Sequence, residues 1–570
     1  MSVNLKAKPY YLGEEQIQWV EDTIAGMTIE EKIGQLFVNM VANAEERKPE
    51  NIKKMLDRFH PGAIRYHDAS KEEIWNMADS LQNNSRIPLL IASNCESGGQ
   101  GSCKEGTPIA NGAAMAAIDS EEAVYEMARV SAREAAAVGC NWNFAPIVDL
   151  TYNWRNTIVQ LRAFNHDPDD VIRYSKAFFK GMRTQNFATC MKHFPGDGTE
   201  ENDQHLIMGI NEFDCEKWDE TYGKVYKELI EDGVMTVMAG HIALPAYSKK
   251  LRPGIKDEDI RPATLAPELI TDLLKGQLGF NGLVVTDASH MIGMFGATIP
   301  RSRQVPQAIA AGCDMYLFFN DREEDFGYMM EGYKNGTITE ERLNDALHRI
   351  LGVKAALNLH TLQREGRLTE PKENLSVIGC SENHEISRKI ADQYVTLVKD
   401  RLGYLPMVPD KYKKVKLVYI GSEATVMAGV KFESNNDKII ADISAQLQAA
   451  GFEVDASVDS AKGKIEEFKR KYDCVLLVLN VQGFAQYNNM RVKWDEPAKQ
   501  PWYMSEVPTF VVSLSNTNSL IDVPMARCYI NSYMDHHESF AATLEKMMGK
   551  SEFKGRYNDN VFCGRWETRF

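Results

Sequence analysis

The chain has 570 residues, with 65 Lys plus Arg against 80 Asp plus Glu and a formal charge of −15 at pH 7. Its 44% apolar and 25% charged residues are the composition of a folded globular protein and exclude a disordered chain. An acidic surface with no basic run to offset it repels phosphate backbones and anionic lipid, which argues against nucleic-acid and membrane-surface roles.

The N-terminal stretch MSVNLKAKPYYLGEEQIQWVEDTIAG has no apolar h-region, so a secretory leader is not expected. No apolar run reaches the roughly 18 residues of a membrane-spanning helix. Short apolar runs bounded by Gly, Pro or Asn then follow: Phe37–Met40, Ala63–His67, Pro88–Asn94, Asn141–Asp149, Ala188–Phe194, Val234–His241, Gly282–Asp287 and Asp314–Phe319. Most gaps hold an amphipathic stretch. Ser120–Val138 is Ala-rich with charges on one side, and Ala266–Leu278 carries Leu at helical spacing and stops at Gly279.

Strands that are continuously apolar rather than alternating belong in a parallel sheet buried on both faces. Eight such units predict an α/β fold, a (β/α)8 TIM-type barrel over residues 1–362. Seven runs end at or run into polar groups: His67, Asn94, Asp149, Lys192–His193, His241, Asp287 and Asn320. In a barrel these ends share the C-terminal face, where active sites are built. Any strand must end in something polar, which explains about half of them; it does not explain a Lys-His pair inside Cys190–Phe194.

Residues 363–383 are polar and turn-rich and read as a linker. Residues 384–570 then read as a smaller α/β sandwich domain with an open doubly wound sheet, its strands at Val415–Gly421, Cys474–Asn480, Thr509–Ser515 and Cys528–Tyr533. No GxGxxG or GxxxxGK[ST] motif supports nucleotide binding there. The ten cysteines are scattered without a CxxC pair, and Cys140, Cys190, Cys474 and Cys528 sit in apolar runs as small core groups. A reduced, cytoplasmic protein without zinc is expected.

Two segments carry candidate chemistry. In Cys190-Met-Lys-His-Phe-Pro-Gly-Asp-Gly-Thr-Glu-Glu-Asn-Asp-Gln-His205 a buried strand delivers Lys192 and His193, and Pro195, Gly196 and Gly198 force a sharp loop bearing Asp203 and His205. In extended backbone positions i and i+2 share a face, so the carboxylate can fix the imidazole tautomer and leave the second nitrogen to shuttle a proton. By spacing alone an Asp-x-His pair is more often a surface loop pair. In Gly279-Phe-Asn-Gly-Leu-Val-Val-Thr-Asp287 an apolar strand ends in a carboxylate that is either a nucleophile toward a sugar anomeric carbon or a helix cap.

Lys-His-Phe-Pro-Gly-Asp-Gly with its following Asp-x-His, and Gly-Leu-Val-Val-Thr-Asp at a strand end, resemble glycoside hydrolase family 3, in its β-N-acetylhexosaminidase branch. Met27-Thr-Ile-Glu-Glu-Lys-Ile-Gly-Gln-Leu36 is similar to the family's opening helix, and Asn143-Phe-Ala-Pro-Ile-Val-Asp149 with Arg162-Ala-Phe to its fourth strand and arginine loop. Thr396-Leu-Val-Lys399 resembles the start of its second domain. The resemblance implies a retaining double displacement on nonreducing β-linked N-acetylglucosamine, without metal or other cofactor. Asp287 matches the nucleophile, His205 the acid/base and Asp203 its dyad partner; Lys192, His193 and Arg162 match positions that bind sugar hydroxyls. A neutral imidazole also avoids a second anion beside Asp287, and an ordinary histidine pKa of about 6.5 suits giving and taking a proton near neutrality.

The sequence departs from the family at the third strand end. The usual Asp-x-Glu-Gly-Gly-Arg stands here as Asn94-Cys-Glu96-Ser-Gly-Gly-Gln100, one residue longer, with the Asp and Arg charges lost. Asn94 and Glu96 remain candidate sugar ligands. Three alternatives stay open: a β-N-acetylglucosaminide phosphorylase using phosphate as acceptor, a family 3 β-glucosidase, and a non-catalytic sugar-binding protein. His241 reads mainly as structural support, and His536–His537 lacks the companions of a metal site. Lys249–Lys250 and Lys411–Lys414 read as solvated surface, and Met235, Met238, Met291 and Met294 as core and pocket wall. The aglycone and the oligomeric state stay open.

Overall fold

A computed structural model describes residues 3–295, 299–422, 425–427, 430–432, 434–457, 464–482, 489–494 and 500–570. The chain forms two compact units. The first holds residues 1–108, 124–152 and 166–383; the second holds 109–123, 153–165 and 384–570.

In the first unit eight parallel strands close into a barrel. They are β1 (Phe37–Val41), β2 (Ala63–Tyr66), β3 (Leu90–Ser93), β4 (Trp142–Asn143), β5 (Ala188–Phe194), β6 (Thr236–Ala239), β7 (Leu283–Ala288) and β8 (Met315–Leu317). Each lies within or against a run read from the sequence. Ring closure pairs Phe37 of β1 with Tyr316 of β8, and Val38 with Ala63 of β2. All seven residues of β5 are buried, as a strand covered on both faces requires. Asp314, just before β8, accepts from Val284 N–H (2.8 Å) and Lys275 (2.9 Å) and pairs with Arg342, fastening the starts of β7 and β8 to two helices.

β4 is shorter than its apolar run because Pro146 has no amide to donate. The chain nevertheless stays on β5: Cys190 N–H donates to Ala145 O (3.1 Å), Lys192 N–H to Pro146 O (3.3 Å) and Val148 N–H to Lys192 O (2.8 Å). This irregular continuation brings Asp149 beside His193. The helix expected over Ala266–Leu278 is a π-helix, Glu268–Gln277, and that over Ser120–Val138 is the α-helix Glu121–Ala137.

The turn-rich stretch 363–383 differs from a free linker, for it packs on the first unit. Thr369 Oγ1 donates to Asp79 (2.8 Å), Trp75 Nε1 to Glu370 O (2.9 Å) and Asn383 Nδ2 to Glu134 (2.7 Å). Its polar side chains therefore serve as fasteners. Two segments inside the expected barrel range, 109–123 and 153–165, group with the second unit.

The second unit carries a six-stranded sheet of β9 (Thr396–Asp400), β10 (Lys414–Gly421), β11 (Glu453–Asp455), β12 (Cys474–Asn480), β13 (Thr509–Ser513) and β14 (Cys528–Asn531). Its order is β9-β14-β13-β12-β10-β11, parallel except for the antiparallel edge strand β9. Val475, Leu477, Val511 and Tyr529 form the centre of its core. Among the described residues no helix is long and apolar enough to cross a membrane.

Candidate active site

The polar ends of β3, β5, β6 and β7 converge at the C-terminal mouth of the barrel. Lys192 and His193, near the end of β5, are almost fully buried. Lys192 Nζ donates to Glu96 Oε1 at 2.8 Å and to Asn94 Oδ1 at 3.2 Å. The lysine thus keeps an ion pair although Asn94 carries no charge, because Glu96 supplies it. Gln100 stays within its own loop, donating from Nε2 to Ser97 Oγ at 2.8 Å.

That loop is set from below by Glu134, a buried carboxylate. It accepts from Thr107 N–H (2.7 Å), Thr107 Oγ1 (2.6 Å), Gly379 N–H (3.0 Å) and Asn383 Nδ2 (2.7 Å). Gly99 lies so close that an added Cβ would stand 1.7 Å from Glu134 Oε2. Only glycine fits there.

His193 donates from Nδ1 to Asp149 Oδ2 at 2.7 Å, and the other oxygen of Asp149 accepts from the amides of His193 (3.1 Å) and Asp197 (2.8 Å). The carboxylate fixes the tautomer and turns His193 Nε2 toward Asp287, 3.9 Å from Oδ2. Asp149 had no assigned role in the sequence; its signals were its place at the end of an apolar run and of the fourth-strand motif Asn143–Asp149.

Beyond β5 the chain turns through Gly196 (φ +119°), where a side chain would collide with the Tyr222 ring. Trp218 Nε1 holds Pro195 O at 2.8 Å, and Tyr222 OH holds Asp197 O at 2.6 Å. Farther along, His205 Nδ1 donates to Asp203 Oδ1 at 2.7 Å, and the same oxygen accepts the His205 amide at 2.9 Å. The two side chains meet through this tight turn, not through an extended segment, since the amides of Leu206 and Ile207 also close on Asp203 O. Asp203 is buried and His205 about one quarter exposed, 24% for its side chain. That contrast leaves Nε2 as the nitrogen available for proton transfer.

Asp287, the next-to-last residue of β7, has its side chain 12% exposed, and its Oδ1 accepts the Ala288 amide at 2.7 Å. The following helix, Ile292–Phe295, starts too late for Asp287 to cap it. Burial by itself raises the Asp287 carboxyl, but His193, His241 and His205 together with the Ala288 amide outweigh it and hold the group below the ordinary carboxylate range. The geometry gives a carboxylate kept ionised beside an oriented imidazole, a pairing suited to nucleophilic attack with proton donation.

His241 is fully buried, and burial pushes its imidazole down. Nε2 donates to Ala288 O at 2.9 Å while Nδ1 lies 3.0 Å from Thr264 Oγ1 and accepts from it. It braces the backbone next to Asp287. His290, unassigned in the sequence, stacks on Phe318 at 6.0 Å between ring centroids and acts electrostatically on both His205 and Asp287. Arg162 falls in the segment grouped with the second unit, where its guanidinium donates to Ile158 O at 3.4 Å. Among the described residues no group of three or more His, Cys, Asp or Glu is arranged to hold a metal ion.

Residues 28–353 match the family model described as the glycosyl hydrolase family 3 N terminal domain. Over 570 residues the chain is 37% identical to a β-N-acetylglucosaminidase/β-glucosidase of Cellulomonas fimi, covering 99% of this chain and 100% of that one. The solved structure of the β-glucoside phosphorylase BglX bound to 2FGlc superposes with a TM-score of 0.92 at 35% identity, covering 98% of this chain and 99% of the other. A family 3 β-N-acetylglucosaminidase from Paenibacillus sp. str. FPU-7 shares the fold, with a TM-score of 0.78 at 21% identity over 93% of this chain and 98% of that one.

Proposed function

Because the chain belongs to glycosyl hydrolase family 3, we propose that it removes a nonreducing β-linked N-acetylglucosamine by a retaining double displacement through Asp287. The observation that carries this reading is the placement of Asp287 at the barrel mouth, with His193 Nε2 3.9 Å from its Oδ2 and the loop of the Asp203–His205 pair hydrogen-bonded to the segment that follows it. In the first step Asp287 attacks C1 while protonated His205 gives its Nε2 proton to the leaving oxygen. In the second, neutral Nε2 takes a proton from the acceptor as the acceptor attacks C1 and the carboxylate leaves. Asp203 keeps the tautomer while His205 is neutral between the two steps and stabilises the imidazolium before the first and after the second. Lys192, His193, Asn94 and Glu96 are the hydroxyl ligands in this reading, and β-glucosides fall within its range because the C. fimi relative is named for both sugars.

A second reading concerns the acceptor. An imidazole base carries no negative charge when the acceptor arrives, so a phosphate is not repelled as it would be by a Glu base. The full-length likeness to a β-glucoside phosphorylase supports phosphate in place of water. The ten cysteines are all unpaired, which supports a reducing, cytoplasmic setting for either reaction.

The test is nitrophenol release from paired β-N-acetylglucosaminide and β-glucoside substrates, each with and without phosphate. Preference for the acetamido sugar with free sugar as product supports the hydrolase. Acceleration by phosphate with a sugar 1-phosphate product supports the phosphorylase, and release from neither substrate overturns both.

A further inference from the structure

Asp203 and His205 are hydrogen-bonded to each other, and the side chain of the residue between them has other partners. Gln204 is as buried as Asp203 and far more so than His205. A buried carboxamide must find both a donor and an acceptor, and this one does. Its Oε1 accepts the His241 amide hydrogen at 2.8 Å, and its Nε2 donates to Asp197 Oδ2 at 3.4 Å. The partners fix which end is which, because a backbone N–H needs the amide oxygen and a carboxylate oxygen needs the amide nitrogen.

Each partner belongs to a part of the site that is held by bonds of its own. His241 stands two residues beyond β6 and braces Ala288 O, next to Asp287, through Nε2 at 2.9 Å. Asp197 begins the loop after β5, and its amide donates at 2.8 Å to Asp149, the carboxylate that also orients His193. The fit around the carboxamide is close: a Cβ at Gly240 would stand 3.2 Å from Gln204 Oε1 and 3.1 Å from His193 Cβ.

The backbone of the turn is tied separately. The Gly293 amide donates to Gln204 O at 3.0 Å and the Ile292 amide to His205 O at 3.1 Å, both from the segment after Asp287. Farther on, Gly209–Ile210 pairs with Ile242–Ala243, but that pairing begins four residues past His205. The Gln204 side chain thus ties the dyad turn itself to the end of β6.

We infer that Gln204 is the positioning residue of the acid/base, holding the Asp203–His205 turn at the separation from Asp287 that proton transfer requires. The inference rests on the reading of His205 as the acid/base. Asp203 fixes the tautomer of the imidazole; Gln204 fixes where the ring stands. A proton passes from Nε2 only when the glycosidic oxygen is within hydrogen-bond reach, and a misplacement of about 1 Å costs on the order of 10²-fold. Both polar atoms of the carboxamide are engaged by protein groups, so Gln204 acts through His205 and not on the sugar.

The test compares full-length wild type, Gln204→Met and His205→Ala on nitrophenyl and alkyl glycosides of the sugar that the wild type turns over. Methionine keeps the length and volume of glutamine and removes both hydrogen bonds. In Gln204→Met, kcat/KM falls at least about tenfold more on the alkyl glycoside than on the nitrophenyl one, a split in the same direction as that of His205→Ala and smaller. Thermal melting shows whether the variant is folded at the assay temperature. Where it is not, Gln204→Asn, one methylene too short to span both partners, is read in its place. Equal losses on the two glycosides, or none, while His205→Ala shows the split, overturn the positioning role and leave the acid/base standing. A His205→Ala variant without the split overturns the acid/base reading and this inference with it.

Discussion

Ile292 donates its amide hydrogen to the carbonyl of His205 at 3.1 Å, and Gly293 does the same to Gln204 at 3.0 Å. The loop that carries the dyad and the loop that follows Asp287 are therefore one hydrogen-bonded unit. Gly293 permits it, because a Cβ there would stand 2.4 Å from Gln204 O. The proposed proton donor and nucleophile are registered to each other by backbone, which favours a fixed separation throughout the proposed two-step reaction.

Replacing Asp287 by Ala removes the proposed nucleophile. Turnover of aryl N-acetylglucosaminides falls by about 10³-fold or more in steady-state assays. Retention of wild-type rates removes Asp287 from that role.

Asp203→Asn leaves a similar shape but takes away the charge that orients and stabilises protonated His205. The rate falls by roughly 10²–10⁴-fold on substrates with poor leaving groups. Nitrophenyl glycosides, whose leaving group needs little protonation, suffer a much smaller loss in the first step. Equal losses on both substrate classes contradict general acid catalysis by the dyad.

The pH dependence follows from the surroundings of Asp287. Its carboxyl lies below the ordinary value of 3.8, so the nucleophile stays ionised as pH falls through the usual carboxylate range. His193→Gln removes the largest of the imidazole contributions that oppose burial, so the acidic limb of kcat/KM moves to higher pH. A limb that stays in place shows that His193 does not set the ionisation of Asp287.

Glu134→Ala strips the acceptor from Thr107, Gly379 and Asn383 in one step. Buried donors left without partners cost about 3 kcal/mol or more, read as a lower denaturation midpoint. Because this carboxylate sits under the loop bearing Asn94 and Glu96, KM rises as well. A stability loss with KM unchanged separates the anchor from the sugar site.

Gly196→Ala tests the turn after β5. The backbone there has φ +119°, and the new methyl would lie 2.1 Å from Tyr222 Cδ1. Destabilisation of roughly 2–4 kcal/mol is expected from strain and collision together. A fully stable, fully active variant means that the loop can re-route without disturbing His205.

The order of the barrel strands and the pairing of Asp203 with His205 were legible in the sequence because their signals are local. An apolar run such as Ala188–Phe194 carries its own length and its own demand for burial on both faces, and the strand has those bounds. Asp203 and His205 are two residues apart, so a single turn suffices to join them. Other features came only with closure of the barrel. His193 finds Asp149 across 44 residues, Lys192 finds Glu96 across 96, and Asn383 finds Glu134 across 249. No periodicity encodes such pairs, because their partners are chosen by which strand ends and loops the closed sheet brings within hydrogen-bonding distance. For the same reason the polar stretch 363–383 reads as a linker in one dimension and packs on the barrel unit in three. Its side chains look solvated until a buried carboxylate such as Glu134 offers them an acceptor.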